Sequence, residues 1–555
     1  MHKKASLLLF FIVSIVIFAS CGIIDELYKD DISSDRLYDN ESQYEVIDGG
    51  PIRGGTLNLF STEPDTLNPL ITKNRFVSEF LNLVFEGLVA INEEQEPVPL
   101  LASDWDVSND GLTWDFKIRE NVFWHDNLPL SADDVEFTFM VILNDKSESV
   151  FKNNLKNIDS YSAVEEKLFR VVLKEPDSFT AQRFTFPILP KHLFIGENVF
   201  DTQRNYNPCG TGPYRFKKYT QGETVVLTAN DDWWKNDLKE KQTMVLPLIP
   251  MINIKLYKEE EERHEAIQSG EIDYCWIEPK NTLITGAKKD LTEKVFPGRY
   301  FEYLAFNTNR GLFKDVALRQ AIACLLNREK IIKELLHQKA IPANVPILPN
   351  SWINSYSEIY LQNNVIMAEK ILENNDWVSG KNGYYSNKWG VYRTFKFSLL
   401  VNEENDTRLK VAEAISEQLQ EYGITVNIKE AKWEEVNRLV ENRQFDAVLI
   451  GCRLPQVPDI SFMYSSKEID TGNNIAGYSN ESIDRYLDEI KNNNDIEVRK
   501  RMFESINKTV QFDAPYIGIY LYNDIVLIND RVCGELRPHT WDRHNDITRW
   551  YMPIK

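Results

Sequence analysis

The first apolar stretch of the chain is an almost unbroken run from Ala5 to Ala19, preceded by Lys3 and Lys4 and followed by Ser20 and Cys21. That length suits a signal-peptide core and is short for a membrane span, and small residues after it read as a cleavage site. From Asp25 to Asp48 the pattern reverses to Asp, Glu, Ser, Asn and Tyr with few aliphatic residues. Such a segment buries too little apolar surface to offset its ordering entropy, which predicts a disordered tether. Beyond it the periods of two kinds of element alternate. A glycine turn leads into an alternating strand at Gly54–Phe60, then a proline-punctuated loop at Glu63–Leu70 and a helix by apolar spacing at Phe76–Val89. Gly111–Asp126 alternates as a strand pair around a turn does. Ser131 caps a helix that carries acids in its first turn, and Gly210–Tyr219 is a glycine-proline entry into another strand. Ala317–Leu336 is an amphipathic helix, Thr407–Trp433 reads as helix, glycine stop and strand, and Gln444–Cys452 is a buried strand. Strands and helices alternating throughout predict α/β layers with partly parallel sheets.

At 555 residues the chain exceeds one ordinary core, so two or three domains are expected. No later apolar run approaches the length of a span. A formal net charge of −21 disfavours nucleic acid as a partner. Cys209, Cys275, Cys324, Cys452 and Cys533 lie far apart, without the paired spacing of zinc or redox motifs, and read mostly as small core residues. There is no serine-nucleophile elbow, no His-Glu-x-x-His and no phosphate-cradling glycine loop. Carboxylates are abundant, as in any acidic protein. His539 and His544 fall in a segment that reads as a surface turn. No enzyme activity, metal or cofactor is expected.

The stretches GGTLNLFSTEPDTLNP, FEGLV, LASDWDVSNDGLTWDFKIRENVFWHDNLPLSADDVEFTF, GTGPYRFKKY, SGEIDY, LAFNTNRGLFKDVALRQAIACLLNREKII and FDAVLIG, in this order, resemble the bacterial extracellular solute-binding proteins of family 5. These are the oligopeptide-, dipeptide- and nickel-binding components of ABC importers. The segment ending at Cys21 resembles a lipoprotein lipobox, with Phe18 where Leu is usual; a plain signal peptide or an uncleaved anchor are the alternatives. The resemblance implies a periplasmic-binding-protein-like, two-lobed α/β fold of type II, in its three-domain oligopeptide-binding variety, with the ligand cleft between the lobes. It implies a signal peptide at 1–20, a lipidated Cys21 and tether at 21–50, domain I at 51–85, 190–305 and 520–555, domain II at 86–189, and domain III at 306–519, with crossings near Asn307 and Tyr520.

The same resemblance places Trp276, Glu278, Tyr303, Asn307, Trp433, Gly451 and Tyr520 at the cleft. Peptide binders of the family carry Gly-Trp after the buried strand and then an Asp for the peptide's amino group. Here Gly451 is followed by Cys452, Arg453, Leu454 and Pro455, so Cys452 stands for the Trp and Pro455 for the Asp. Asp459 or Glu278 is then needed for an amino group, or Arg453 receives a carboxylate through its planar fork. The implied protein is a monomer on the outer face of the cell membrane. It captures a short peptide and hands it to a permease with its ATPase subunits. A metal chelate or small glycan is the alternative ligand, and a surface glycoside hydrolase the alternative outside the class.

Overall fold

The computed structural model describes residues 53–237, 247–277, 290–354, 361, 363–381, 383–386 and 392–553. Cys21, the acidic segment after it and Glu278 lie outside the described residues.

Two long antiparallel strands, Leu291–Phe306 and Tyr516–Asn529, form the spine of an 11-stranded mixed sheet. On one flank the spine continues through Tyr274–Ile277, Thr56–Thr62, Met251–Tyr257, Thr224–Ala229 and Tyr214–Thr220. On the other it continues through Ala447–Arg453, Lys396–Asn402 and Thr425–Ala431. The parallel pairs are Thr56–Thr62 with Met251–Tyr257, and Lys396–Asn402 with both Thr425–Ala431 and Ala447–Arg453. The α/β reading with partly parallel sheets therefore holds.

The spine's register breaks between Pro297 and Phe301 and again between Glu302 and Tyr303. Extra residues at such bulges bend the strand. One apolar core draws on residues from Leu57 to Phe296 and from Ile525 to Trp550. Two others lie on opposite faces of the remaining spine, because strand side chains alternate: Phe301, Tyr303 and Ala305 go to one, Leu304 and Phe306 to the other. A separate antiparallel sheet, ordered Ala102–Val107, Thr113–Ile118, Leu168–Leu173 and Ile158–Glu165, carries the helix Ala132–Leu143. Ser131 and Asp134 form the reciprocal capping box of that helix.

Three expected elements differ. The helix expected over Phe76–Val89 is only Arg75–Leu81, and a strand begins at Val89. Between them, Gly87 passes so close to another segment that a Cβ there would sit 2.7 Å from the Thr185 carbonyl oxygen. The apolar residues that imitate helical spacing are buried loop residues. The single helix expected over Ala317–Leu336 is two, Val316–Leu325 and Arg328–Leu335. Asn327 breaks it by capping the second, accepting from the Lys330 amide, while its own amide donates to the Gln418 side chain at 2.8 Å. Gly111–Asp126 contains one strand, Thr113–Ile118, and then a turn closed by a Phe123–Pro129 bridge.

Candidate functional site

Three parallel strands, Lys396–Asn402, Thr425–Ala431 and Ala447–Arg453, end on the same side of the sheet. The helices Asp406–Glu421 and Trp433–Glu441 start there. Carboxyl ends of parallel strands are where open α/β sheets bind ligands, since loops and helix amino ends converge there. Trp433 opens its helix, its amide donating to Glu404 Oε2 at 3.0 Å. It remains 40% exposed, high for the largest apolar side chain.

The strand Ala447–Arg453 is paired along its whole length with Tyr300–Phe306. On its other edge it pairs with Lys396–Asn402 at Ala447 and Val448. From Leu449 to Arg453 that edge is paired with no strand among the described residues. Its backbone groups can therefore take an extended segment as an added strand. Gly451 is required by its neighbour, because a Cβ there would lie 2.3 Å from Glu302 Oε1. Glu302 is held by Arg408 in a two-armed pair, Nε to Oε2 at 3.0 Å and Nη2 to Oε1 at 2.6 Å, with both side chains 10% exposed. Burial and Glu302 push the Cys452 thiol up to about 12. It stays protonated and behaves as a small apolar group.

The loop after the strand is fixed from behind. Gln95 Nε2 donates to the Gln456 carbonyl at 2.9 Å and to that of Pro455 at 3.3 Å. Trp352 N donates to the Glu94 carbonyl at 2.8 Å, and Ser178 N to that of Lys491 at 2.9 Å. Arg499 lies over the rings of Phe179 at 4.4 Å and Trp352 at 4.6 Å. The segment 86–189 thus packs directly on 306–519.

Asp459 sits at this contact. Its carboxylate is 3.3 Å from Lys491 Nζ and accepts from the Ser461 amide at 2.9 Å. Burial works against its ionisation, but Lys491, Ser461 and Arg183 outweigh it, so its pKa lies below the usual carboxylate value. Asp459 is therefore already paired with a cation, and an ammonium ligand would have to displace Lys491. Pro455 is exposed, as is Arg453.

Trp276 belongs to the other flank. It is 7% exposed, with Arg543 3.9 Å and Arg75 5.3 Å from its ring centre. Arg543 joins Glu79 and Asp524, each at 2.9 Å. Tyr303 and Tyr520 are buried in the cores on opposite faces of the spine; Tyr303 stacks on Phe301 at 5.3 Å, and Tyr520 meets Tyr522 edge-on at 5.0 Å. Asn307 is buried beyond the end of its strand, donating to the carbonyls of Arg443 and Phe445 at 2.8 and 3.2 Å. That is the amino end of Ala447–Arg453, a strand's length from Arg453. The structure thus gathers Trp433, Gly451 and Arg453 at one strand end, places Asp459 behind them, and puts Asn307 elsewhere.

Sequence reasoning missed Arg299, Trp541 and Arg543. Arg299 donates Nε to the Leu454 carbonyl at 2.7 Å, and its guanidinium lies 4.9 Å from the Trp541 ring centre. Burial first, then Arg453 and Arg543, pull its pKa down to about 9. The segment read as a surface turn is instead packed, with His539 and His544 6% and 7% exposed.

A mixed sheet crossed by two long strands, with an open strand edge at the carboxyl ends of its parallel members, is an architecture suited to binding an extended ligand. The family model for bacterial extracellular solute-binding proteins, family 5, matches residues 96–473, and the chain belongs to that family. It is 27% identical over 523 residues to the oligopeptide-binding protein AppA of Bacillus subtilis, covering 91% of this chain and 93% of that protein. The structure of that AppA in complex with a nonapeptide matches with a TM-score of 0.62 and 25% identity, over 91% of this chain and 100% of the other. NikZ from Campylobacter jejuni in complex with Ni(L-His) matches equally, with a TM-score of 0.62 and 25% identity over 89% and 99% of the two chains.

Proposed function

We propose that this chain is the substrate-binding lipoprotein of an ABC importer, capturing a short peptide on the outer face of the membrane and presenting it to a permease by hinge closure. The observation that carries the reading is the open edge Leu449–Arg453 at the carboxyl ends of the parallel strands, the same ends at which the exposed Trp433 opens its helix. A peptide added there gains backbone hydrogen bonds that do not depend on its sequence, while Trp433 offers a flat apolar face. The likeness to a protein that holds a nonapeptide supports it. The bulges at Pro297/Phe301 and Glu302/Tyr303 supply the flexure for closure.

The same reading divides the chain into domain I (51–85, 190–305, 520–555), domain II (86–189) and domain III (306–519); domains I and II share one apolar core, while 306–519 supplies most of the other two. A ligand-bound structure in which 306–519 splits into independently moving parts would contradict it. Calorimetry with random short peptides tests the function. Binding is expected, and Trp433→Ala should weaken it by about tenfold, the scale of one aromatic contact; absence of binding, or an unchanged affinity in the variant, argues against this site.

Anchoring rests on the lysines, the short apolar run and the small residues before Cys21. Two acyl chains hold a protein on a bilayer where one barely does. Cys21→Ala should abolish acyl labelling and free the protein from the membrane fraction. Retained label in that variant would exclude the lipoprotein assignment.

The likeness to NikZ with Ni(L-His) supports a second reading, a metal chelate. Among the described residues no group of three His, Cys, Asp or Glu side chains stands ready to hold a bare ion. A chelate brings its own ligands and needs only shape and charge from the protein.

A further inference from the structure

We propose that Gln95 is a positioning residue for ligand capture: from a left-handed turn in 86–189 it reaches across to 306–519 and holds the loop in which the open strand edge ends. The inference rests on the reading that this edge takes the solute.

The starting observation is a glutamine where glycine is favoured. Val89–Ile91 and Pro97–Pro99 pair as a hairpin, with Ile91 opposite Pro97. Asn92 N donates to the Glu96 carbonyl and Gln95 N to that of Asn92, both at 3.0 Å, which closes the loop. Glu93, Glu94 and Gln95 turn the chain, and Gln95 has a φ of 66°. Hairpin loops of this length end on a left-handed residue, and glycine takes that place without steric cost. A glutamine there holds its backbone at a cost that other contacts must offset. Its side chain is not in water, because Gln95 is only 4% exposed.

The contacts it makes account for it. Gln95 Nε2 donates to the carbonyls of Gln456 at 2.9 Å and Pro455 at 3.3 Å. Its own carbonyl accepts from Gln182 Nε2 at 2.8 Å, which fixes the turn from within 86–189. Leu454, between the open edge and these two carbonyls, is held by the spine instead. Its amide donates to the Arg299 carbonyl and its carbonyl accepts from Arg299 Nε, each at 2.7 Å. The end of the edge is therefore clamped from two sides, by the spine at Leu454 and by the hairpin at Pro455 and Gln456. The rest of the hairpin tip meets 306–519 through its backbone alone. The Glu94 carbonyl accepts from the Trp352 amide and that of Glu93 from Asn350 Nδ2, both at 2.8 Å. Those bonds do not depend on the side chain at 95, so what Gln95 adds is the grip on 455–456. A solute laid along Leu449–Arg453 then meets a strand end that is already ordered, and binding does not carry the entropy cost of ordering it.

The test compares the mature protein with Gln95→Asn, which suits a left-handed turn and keeps an amide but is a methylene too short to reach the loop. In ligand-free protein, amide hydrogen exchange over 454–462 should quicken by about fivefold or more, the scale of the lost hydrogen bonds. Affinity for a pool of short random peptides, measured by calorimetry, should fall by about the same factor. The melting temperature should stay level or rise, because the turn is relieved; a residue that served stability alone would lower it. Gln95→Gly, which has no amide at all, should match Gln95→Asn in exchange and affinity. Unchanged exchange over 454–462 overturns the grip, and faster exchange with unchanged affinity overturns the positioning role. If the unsubstituted protein binds no peptide, it is the peptide reading that fails. The grip is then read from exchange alone: a rise confined to 454–462 in both variants sustains it, and no rise overturns it.

Discussion

Replacing Glu302 with alanine will lower the unfolding free energy by about 3–5 kcal/mol, because it strands a buried guanidinium. Arg408 reaches Glu302 by two hydrogen bonds, and both side chains are 10% exposed. The pair lies beside the sheet spine, where Glu302 is the register partner of Tyr520 on one strand and of Gly451 on the other. Desolvation of the two charges offsets much of their attraction, so the pair as a whole contributes little net stability. Removing one partner is another matter, since the survivor keeps its desolvation cost and loses its counter-charge. Urea denaturation distinguishes the two statements. The single variant should lose the full amount, while the double variant Glu302→Leu with Arg408→Met should recover much of it. A loss below about 1 kcal/mol in the single variant would mean that water reaches Arg408 and the pair is not buried. The glycine at 451 follows from the same pair, since any Cβ there would push on the Glu302 carboxylate.

Arg543→Ala is expected to cost about 3 kcal/mol for the converse reason. Asp524 and Glu79, whose side chains are 3% and 19% exposed, face one arginine that is itself 15% exposed. Without it both carboxylates lose the arginine they pair with. Burial opposes the Arg543 charge, but Glu79 and Asp524 outweigh it and raise its pKa. The ring of Trp276 also loses the flat group that covers it at 3.9 Å. Arg543→Lys should restore only part of the loss, because one ammonium cannot span two carboxylates in the plane of a fork. Full recovery with lysine, measured by the same denaturation, would show that charge alone matters and that the fork geometry is incidental.

Much of the architecture is legible in local pattern. The capping box at Ser131, the stop at Gly423 with its φ of 76° and the buried strand expected over Gln444–Cys452, found at Ala447–Arg453, all appear close to where periodicity and turn chemistry place them. Local pattern fails where tertiary contacts override it. The apolar residues after Leu81 look helical but are buried in a loop that Gly87 draws against Thr185. The break at Asn327 depends on Gln418, 91 residues away. The site divides in the same manner. Trp433 and Gly451 sit in motifs that a single sequence exposes. Arg299 meets Leu454 across 155 positions, and Arg543 meets Glu79 across 464, so nothing local marks either arginine.

The central claim is that the open strand edge takes an extended peptide. Mass spectrometry of small molecules released from the purified, denatured protein tests it most directly, because a closed cleft retains its ligand through purification. The account predicts short peptides of varied sequence, present in the native protein and depleted in Trp433→Ala. Recovery of a metal chelate or a sugar in place of peptides would contradict it.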